Sequence, residues 1–149
     1  MTMIIRQATL GDLAGVHQMM TLLARHHGDV ACITPERLRE HLFDNPIGHL
    51  VVAGEEEGLV GYALLLPRPN MVTGGTGREI HHLFVVEWRR KAGVGRALIA
   101  ALRQISMAAG AEYLMIATRT DNLDAQNAYR RMGLVELPNP GPRFRVELA

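Results

Sequence analysis

A short run of basic residues and glycines, residues 89–96, is the part of the sequence best suited to chemistry. It reads Arg-Arg-Lys-Ala-Gly-Val-Gly-Arg, follows the apolar stretch 80–86, and precedes apolar residues at helical spacing over 97–109. The first N–H groups of a helix lack partners inside it and carry partial positive charge. Glycines let a ligand approach that backbone closely. The pattern therefore predicts an anion site, and a phosphate group suits it.

Two common phosphate-binding loops do not fit this stretch. A P-loop would close on Gly-Lys-Ser/Thr, which is absent, and in the dinucleotide fingerprint Leu98 stands where the third glycine belongs. What remains is Arg90-x-x-Gly93-x-Gly95 after a strand that includes residues 83–85. The alternative is a basic helix start that binds nothing.

Length and composition limit the classes of protein to consider. The 149 residues, 48% of them hydrophobic, predict one domain over 1–149 with a sizeable core. No segment approaches the ~20 apolar residues of a membrane span, and the net charge of +1 does not suggest a nucleic-acid surface. The single cysteine, Cys32, suits a reducing cytoplasm. Three glutamates, residues 55–57, read as a solvated hairpin tip, so no metal site is expected.

The remaining elements follow from periodicity, caps and breakers. Helices are expected after Thr9, a candidate N-cap, and after Thr34, an N-cap followed by Pro35 at the first helical position, and a further helix is expected over 121–132. Strands are expected at 3–9, 49–53, 59–66, 80–86, 113–117, 134–137 and 143–148, with 113–117 buried on both faces and the last two paired. This order is typical of an α+β fold with a mixed sheet.

A second motif, Asn122-x-x-Ala125-x-x-x-Tyr129-x-x-x-Gly133, falls on the late helix. Its first three residues are spaced three and four apart and so share one helix face. Together, in this order, the two motifs resemble those of the GNAT N-acetyltransferases, and the resemblance extends over essentially the whole chain. It implies a three-layer α/β/α fold with a mixed, mostly antiparallel twisted sheet, helices on both faces and splayed central strands. It also implies acetyl-CoA as cosubstrate.

The resemblance assigns a coenzyme site to particular residues. The pantetheine arm would pair with the strand edge at Leu83, Phe84 and Val85. The pyrophosphate would lie over the glycine loop, whose members are Arg90, Lys91, Ala92, Gly93, Val94, Gly95 and Arg96. Lys91 departs from the family, which commonly has a glycine there.

Two residues of the second motif have implied roles and competing explanations. Asn122 would contact the coenzyme arm, but an asparagine at a helix start also serves as a cap. Tyr129 matches the tyrosine that protonates the departing thiolate, which a phenol with a pKa of ~10 can do at neutral pH. The alternative for Tyr129 is a packed core residue with a satisfied hydroxyl.

The general base is open among three residues of the central strand. Glu79 stands where many family members have a catalytic glutamate, while His81 and His82 have the side chain whose pKa of ~6.5 better suits proton transfer near neutrality. Strand alternation predicts Glu79 and His81 on one face and His82 on the other. The ranking is Glu79, then His81, then His82.

The acceptor is expected to be the primary amine of a small molecule. Assays with a panel of small amines and peptides would test this. The layout of residues 23–43 has a weak similarity to small-amine acetyltransferases of the diamine and thialysine type. Alternatives are acetylation of a protein N-terminus or lysine, and a non-catalytic acyl-CoA-binding sensor. The family resemblance also makes a homodimer an expectation.

Overall fold

The computed structural model describes residues 2–138 and 141–148, and the chain divides into two compact units, Met1–Ala117 and Thr118–Ala149. The first unit holds a five-stranded sheet in the order β1-β2-β3-β4-β5. Its strands are β1 Ile4–Gln7, β2 His49–Glu55, β3 Gly58–Pro67, β4 Gly77–Val85 and β5 Tyr113–Ile116. The pairs from β1 to β4 are antiparallel and β5 runs parallel to β4. The predicted α+β fold with a mixed, mostly antiparallel sheet is confirmed.

Within the described residues, three α-helices belong to the first unit and one to the second. They are α1 Leu13–His26, α2 Pro35–Arg39, α3 Val94–Ala108 and, in the second unit, α4 Leu123–Arg131. A π-helical turn, Glu40–Asp44, continues α2. The side chain of Thr34 caps α2 as predicted, and Pro35 fits the first helical position because its missing N–H would have no partner there.

The helices of the first unit cover both faces of its sheet. One face packs against α1 and α2 through a core that includes Val16, Leu38, Val52, Tyr62 and Phe84. Because side chains alternate along a strand, neighbours such as Val51 and Ala63 face the opposite side, where α3 buries Leu98 and Leu102. The site residues on β4 therefore stand between two packed layers.

The pairing of β4 with β5 covers only part of β4. It runs from Gly77 opposite Tyr113 to Ile80 opposite Ile116, where β5 ends. A side chain on Gly77 would overlap the Tyr113 ring, so this first rung depends on glycine. Among the described residues, 82–85 pair with β3 alone, which is the splay expected between the central strands. The residues of β5 are only partly buried, because β5 is the edge strand, so the prediction of burial on both faces was wrong.

A β-bulge interrupts the register of β4 at His81. On β3, Leu64 pairs with His82 and the next residue, Leu65, pairs with Ile80, which leaves His81 as the extra residue. Since one extra residue reverses the alternation beyond it, Glu79 and His82 fall on the same face. The predicted arrangement, with Glu79 and His81 together and His82 opposite, was therefore wrong.

The second unit contains α4 and an extended tail. No strand forms within the described residues 134–138 and 141–148, so the predicted final strand pair was wrong. Phe144, Val146 and Leu148 alternate as a strand would, yet each is more than 70% exposed because no neighbouring strand covers it. Prolines at 138, 140 and 142 also remove backbone donors that a ladder would use.

Candidate active site

The unpaired edge of β4 presents backbone groups in an alternating direction. The Val86 N–H donates to the Val60 carbonyl on β3 at 2.9 Å. In an antiparallel pair, successive residues direct their N–H and C=O groups to opposite sides. Leu83 and Val85 therefore point theirs away from β3, toward the side that β5 leaves open. An extended ligand chain can pair with this edge as an additional strand would.

The N-terminus of α3 is open. Its first intrahelical hydrogen bond runs from the Ala97 N–H to the Gly93 carbonyl, at 3.0 Å. The N–H groups of Val94, Gly95 and Arg96 consequently have no acceptor inside the helix, and no side chain caps it. These groups, with the helix dipole, form a seat for an anion.

Two residues of the loop before α3 have left-handed backbones. Gly93, at the start of the helix, has φ 89°, which glycine adopts readily. Lys91 has φ 62° and is the only described non-glycine residue with a positive φ. A side chain in that region costs about 1–2 kcal/mol. The departure from the family's glycine at this position therefore keeps the turn but adds backbone strain.

The two arginines before the loop are held by intramolecular bonds. Arg89 Nε lies 2.6 Å from Oε1 of Glu55, whose side chain is 2% exposed and whose Oε2 is buried without a partner among the described residues. Arg90 Nε donates to the Val85 carbonyl at 3.0 Å and its guanidinium lies 5.7 Å from the centre of the Phe84 ring. Lys91 and Arg96 are exposed. The arginines thus fasten the loop to the sheet, while Lys91 and Arg96 supply charge at the helix mouth.

Glu79 is engaged in an ion pair. Its Oε2 lies 2.8 Å from Nη1 of Arg68, a residue that follows β3, and the Glu79 side chain is 26% exposed. Arg68 could not be identified as a partner from the sequence, because the pairing depends on the β3–β4 register. A carboxylate held in this way is fixed in position next to the histidines of β4.

The bulge brings His81 and His82 together despite their adjacency in sequence. Their rings stack at 4.5 Å between centroids with an interplanar angle of 13°. His82 Nδ1 lies 3.1 Å from the hydroxyl of Tyr62, which is fully buried on β3. Burial, followed by the charges of His81 and His27, lowers the pKa of His82 to about 4. The sequence analysis did not identify Tyr62, because no local pattern marks this residue as a partner of β4.

Asn122 and Tyr129 lie on α4, in the second unit. Oδ1 of Asn122 accepts from the Ala125 N–H at 3.1 Å, so its carbonyl oxygen serves as the helix cap and its amide nitrogen is left for other contacts. Burial raises the pKa of the Tyr129 phenol, which keeps it protonated at neutral pH. Their roles toward a coenzyme stay predictions.

In the first unit, the structure brings the strand edge, the anion seat and the three base candidates into one region along β4 and its continuation into α3. Within residues 2–138 and 141–148, no group of three or more His, Cys, Asp or Glu side chains could hold a metal ion. In that same part of the chain, no helix combines the length and apolar character needed to cross a membrane.

Comparison with known structures shows the fold. A possible acetyltransferase from Clostridium difficile 630 is 17% identical, with 99% of each chain covered and a TM-score of 0.81. An aminoglycoside acetyltransferase from an uncultured soil metagenomic sample is 20% identical, with 97% of each chain covered and a TM-score of 0.83. The ribosomal-protein-alanine N-acetyltransferase of Brucella melitensis biovar Abortus 2308 is 18% identical, covering 99% of this chain and 100% of its own, with a TM-score of 0.74.

Comparison of the sequence with family models gives the assignment. No curated protein matches the chain significantly. The model of the acetyltransferase (GNAT) family matches residues 16–134, which include β4, the glycine loop and α4. The chain therefore belongs to the acetyltransferase (GNAT) family and is an acetyltransferase.

Proposed function

We propose that this protein transfers the acetyl group of acetyl-CoA to the primary amine of a small molecule by direct attack of the amine on the thioester. One observation carries the proposal: the uncapped N-terminus of α3 follows, after the loop 86–93, a strand whose edge is unpaired. Acetyl-CoA has an anionic diphosphate and an extended amide-containing arm, which are the two features that such a pair of elements can bind.

The residues present fit the coenzyme. Backbone N–H groups of residues 91–96 would hold the diphosphate, and hydrogen bonds to a charged group contribute about 1.5–3 kcal/mol each. Lys91 and Arg96 add positive charge beside them. The N–H and carbonyl of Leu83 and the N–H of Val85, whose carbonyl already accepts from Arg90, would pair with the arm, while the backbone groups of Phe84 between them are directed at β3. Arg90 would hold the start of the loop through its bond to Val85.

The chemistry requires a polarised carbonyl, a neutral amine and a proton for the leaving thiolate. Acetyl-CoA supplies the acetyl group as an activated thioester. A backbone N–H of the β4 edge would donate to the thioester oxygen, where negative charge develops. One of Glu79, His81 and His82 would take the amine proton. Tyr129 would hold a proton at its hydroxyl for the thiolate, and the raised pKa of Tyr129 supports this role.

A panel of amines tests the proposed function. Purified protein is incubated with acetyl-CoA and, separately, a diamine, an aminoglycoside, a free amino acid and a peptide with an N-terminal alanine, and free thiol is measured. We expect release of coenzyme A with at least one small amine. Release with the peptide alone would indicate a protein acetyltransferase instead. Binding of acetyl-CoA without thiol release from any amine would indicate a sensor and contradict the proposal.

The variant Tyr129→Phe tests the proton donor. Removal of the hydroxyl is expected to lower kcat by about 100-fold, which is typical of the loss of a general acid. The dissociation constant for acetyl-CoA, measured by calorimetry, should change less than threefold because the ring is retained. Unchanged turnover would remove Tyr129 from the mechanism.

Two further expectations accompany the proposal. The single cysteine still favours a reducing cytoplasm as the compartment. A homodimer stays an expectation of the family resemblance, and light scattering of the purified protein measures it directly.

A further inference from the structure

The bulge at His81 creates a pair of histidines with unequal surroundings. In a regular strand, adjacent side chains point to opposite faces. Here the extra residue in β4 lets the two rings stack at 4.5 Å. His81 is exposed, whereas His82 is partly buried against β3. Two rings this close cannot both be charged without repulsion, so one of them is set to stay neutral.

The hydroxyl of Tyr62 determines which one stays neutral. Tyr62 is fully buried, and among its described contacts His82 Nδ1, at 3.1 Å, is the acceptor that its proton can reach. A buried O–H without an acceptor costs about 1–3 kcal/mol. Tyr62 therefore donates to Nδ1, and burial raises the pKa of its hydroxyl so that the proton is retained. The proton of neutral His82 is then on Nε2.

This arrangement leaves His82 without a nitrogen lone pair for a substrate. Nδ1 already accepts from Tyr62, and Nε2 carries a hydrogen. The low pKa of His82, about 4, is consistent with a ring that stays neutral at physiological pH. Glu79 is also engaged, through Oε2, with Arg68 at 2.8 Å. Within the described part of the chain, His81 makes no hydrogen bond and keeps a ring nitrogen available.

We infer, on the basis of the acetyl transfer proposed above, that His81 accepts the proton of the acceptor amine and that His82, fixed by Tyr62, is the positioning residue that holds the His81 ring. The amine nitrogen forms its bond to the acetyl carbon and loses one proton to the free nitrogen of His81. The C–S bond breaks, and the thiolate takes the proton of the Tyr129 hydroxyl. His81 then releases its proton to water and Tyr129 regains one.

The charged groups around the pair come from three elements. Tyr62 faces it from β3, and Glu79 lies on the same face of β4 with its partner Arg68. His27, just after α1, acts on His82 through its charge. Burial raises the pKa of the Tyr62 hydroxyl, which keeps its proton, and the Glu79 carboxylate is paired with Arg68. In this scheme the acid limb of the activity profile has two sources, protonation of the acceptor amine and protonation of His81.

The first test compares variants of the full chain with the panel amine that gives the fastest thiol release. His81→Gln is expected to lower kcat/KM by about 100-fold and to remove the part of the acid limb that protonation of the amine itself does not account for. Its affinity for acetyl-CoA should be unchanged. The matched control Glu79→Gln should keep the pH profile of the wild type. Loss of that part of the acid limb in Glu79→Gln, or an unchanged pH profile in His81→Gln, would overturn the inference.

The second test separates the positioning role from a general loss of stability. His82→Ala removes the stacked ring and is expected to lower kcat about tenfold with the acid limb retained. His82→Phe keeps a flat ring in its place but loses the bond to Tyr62, so it should recover only part of that loss. Equal damage in both variants at equal thermal stability would contradict the stacking role.

The third test needs no acceptor. In ¹⁵N-labelled protein, the ring nitrogens of His82 should show the neutral form with the proton on Nε2 down to about pH 5.5, and Tyr62→Phe should allow the other tautomer. A charged His82 at that pH would overturn the inference even if acetyl transfer proceeds. Absence of thiol release with every amine, together with the expected ring spectra, would instead refute the acetyl transfer and the acceptor role of His81, and leave only the Tyr62–His82 arrangement standing.

Discussion

The N-termini of the α-helices in the described residues fall into two kinds. A 3₁₀ turn, Leu10–Asp12, leads into α1, so the Leu13 N–H already has an acceptor in the Leu10 carbonyl. At the start of that turn, the Asp12 carboxylate accepts from the Thr9 N–H at 2.7 Å and pairs with Arg6. Thr34 caps α2 and Asn122 caps α4, each by accepting a backbone N–H. At α3, glycine takes the cap position and no described side chain contributes a bond. Within the described residues, the chain thus closes the starts of α1, α2 and α4 with its own atoms and leaves open the start of α3, which follows the unpaired edge of β4.

Under the proposed function, this difference separates groups that stabilise the fold from groups that would bind the coenzyme. A missing cap costs about 1 kcal/mol, so the open start of α3 is a stability cost that a bound anion would offset. The closed starts show that the sequence readily supplies capping side chains elsewhere. The open start therefore identifies the anion seat more directly than the basic residues around it.

Gly93→Asp is expected to have the largest effect, because it places a carboxylate at the open start of α3. A carboxylate at the mouth of α3 would repel a diphosphate, and we expect the dissociation constant for acetyl-CoA to rise more than 100-fold, or about 2.7 kcal/mol. Gly110→Asp is the matched control, because Gly110 also has a positive φ of 78° and open space around it. The Gly110→Asp protein should lose a similar amount of stability and keep the wild-type affinity for acetyl-CoA. Equal affinities of the two variants for acetyl-CoA, measured by calorimetry, would refute the anion seat.

The closed start of α1 should respond to acid. The Arg6 guanidinium, with the Thr9 N–H, lowers the pKa of Asp12 to about 2. The stabilising effect of the carboxylate is therefore complete above its unfolded pKa of ~3.9 and is lost as the pH falls toward 2, in total about 2 kcal/mol. Urea unfolding of wild type and Asp12→Asn at pH 5 and pH 2.5 measures this. The gap between the two proteins should narrow at the lower pH, and a constant gap would contradict the role of the charge.

Asn122→Ala should open the start of α4. Loss of the cap is expected to lower the free energy of unfolding by about 1 kcal/mol. Asn122→Asp keeps the capping oxygen and replaces only the amide nitrogen, so it should retain stability. If Asn122→Asp also binds acetyl-CoA as wild type does, the residue is a cap alone. Weaker binding with unchanged stability would support the predicted contact with the coenzyme arm.

Lys91→Gly is expected to have the smallest effect and tests the backbone strain of the glycine loop. Glycine relieves the positive φ at this position, and we expect a gain in stability of up to about 1 kcal/mol. Lys91→Ala removes the same charge but keeps the strained backbone. The difference in stability between the two variants therefore gives the contribution of the backbone strain. Thermal unfolding with equal midpoints for both would show that the strain is absent in solution.

Local signals in the sequence predicted much of the fold and part of the site. Thr34-Pro35 marked a helix start because a cap and a proline act within one turn. The glycine loop was found because its function depends on consecutive backbone groups, although α3 begins at Val94 rather than at Ala97. Such features depend on neighbours in the chain and can be read without the tertiary structure.

Features that depend on register could not be read in this way. The bulge at His81 reverses the alternation that the sequence pattern assumes, and it decides which side chains of β4 share a face. The partners Tyr62 and Arg68 are 20 and 11 residues away and meet β4 only through the pairing of β3. The tail beyond Gly133 has the composition of strands, but composition does not provide a partner strand.

The early end of β5 has one more consequence. Each rung added to β5 would cover one more residue of β4, because parallel strands pair in step along their length. The length of β5 therefore sets how many residues of β4 keep an unpaired edge. Insertions or deletions after Ile116 can shorten or lengthen that unpaired edge while every side chain on β4 stays the same.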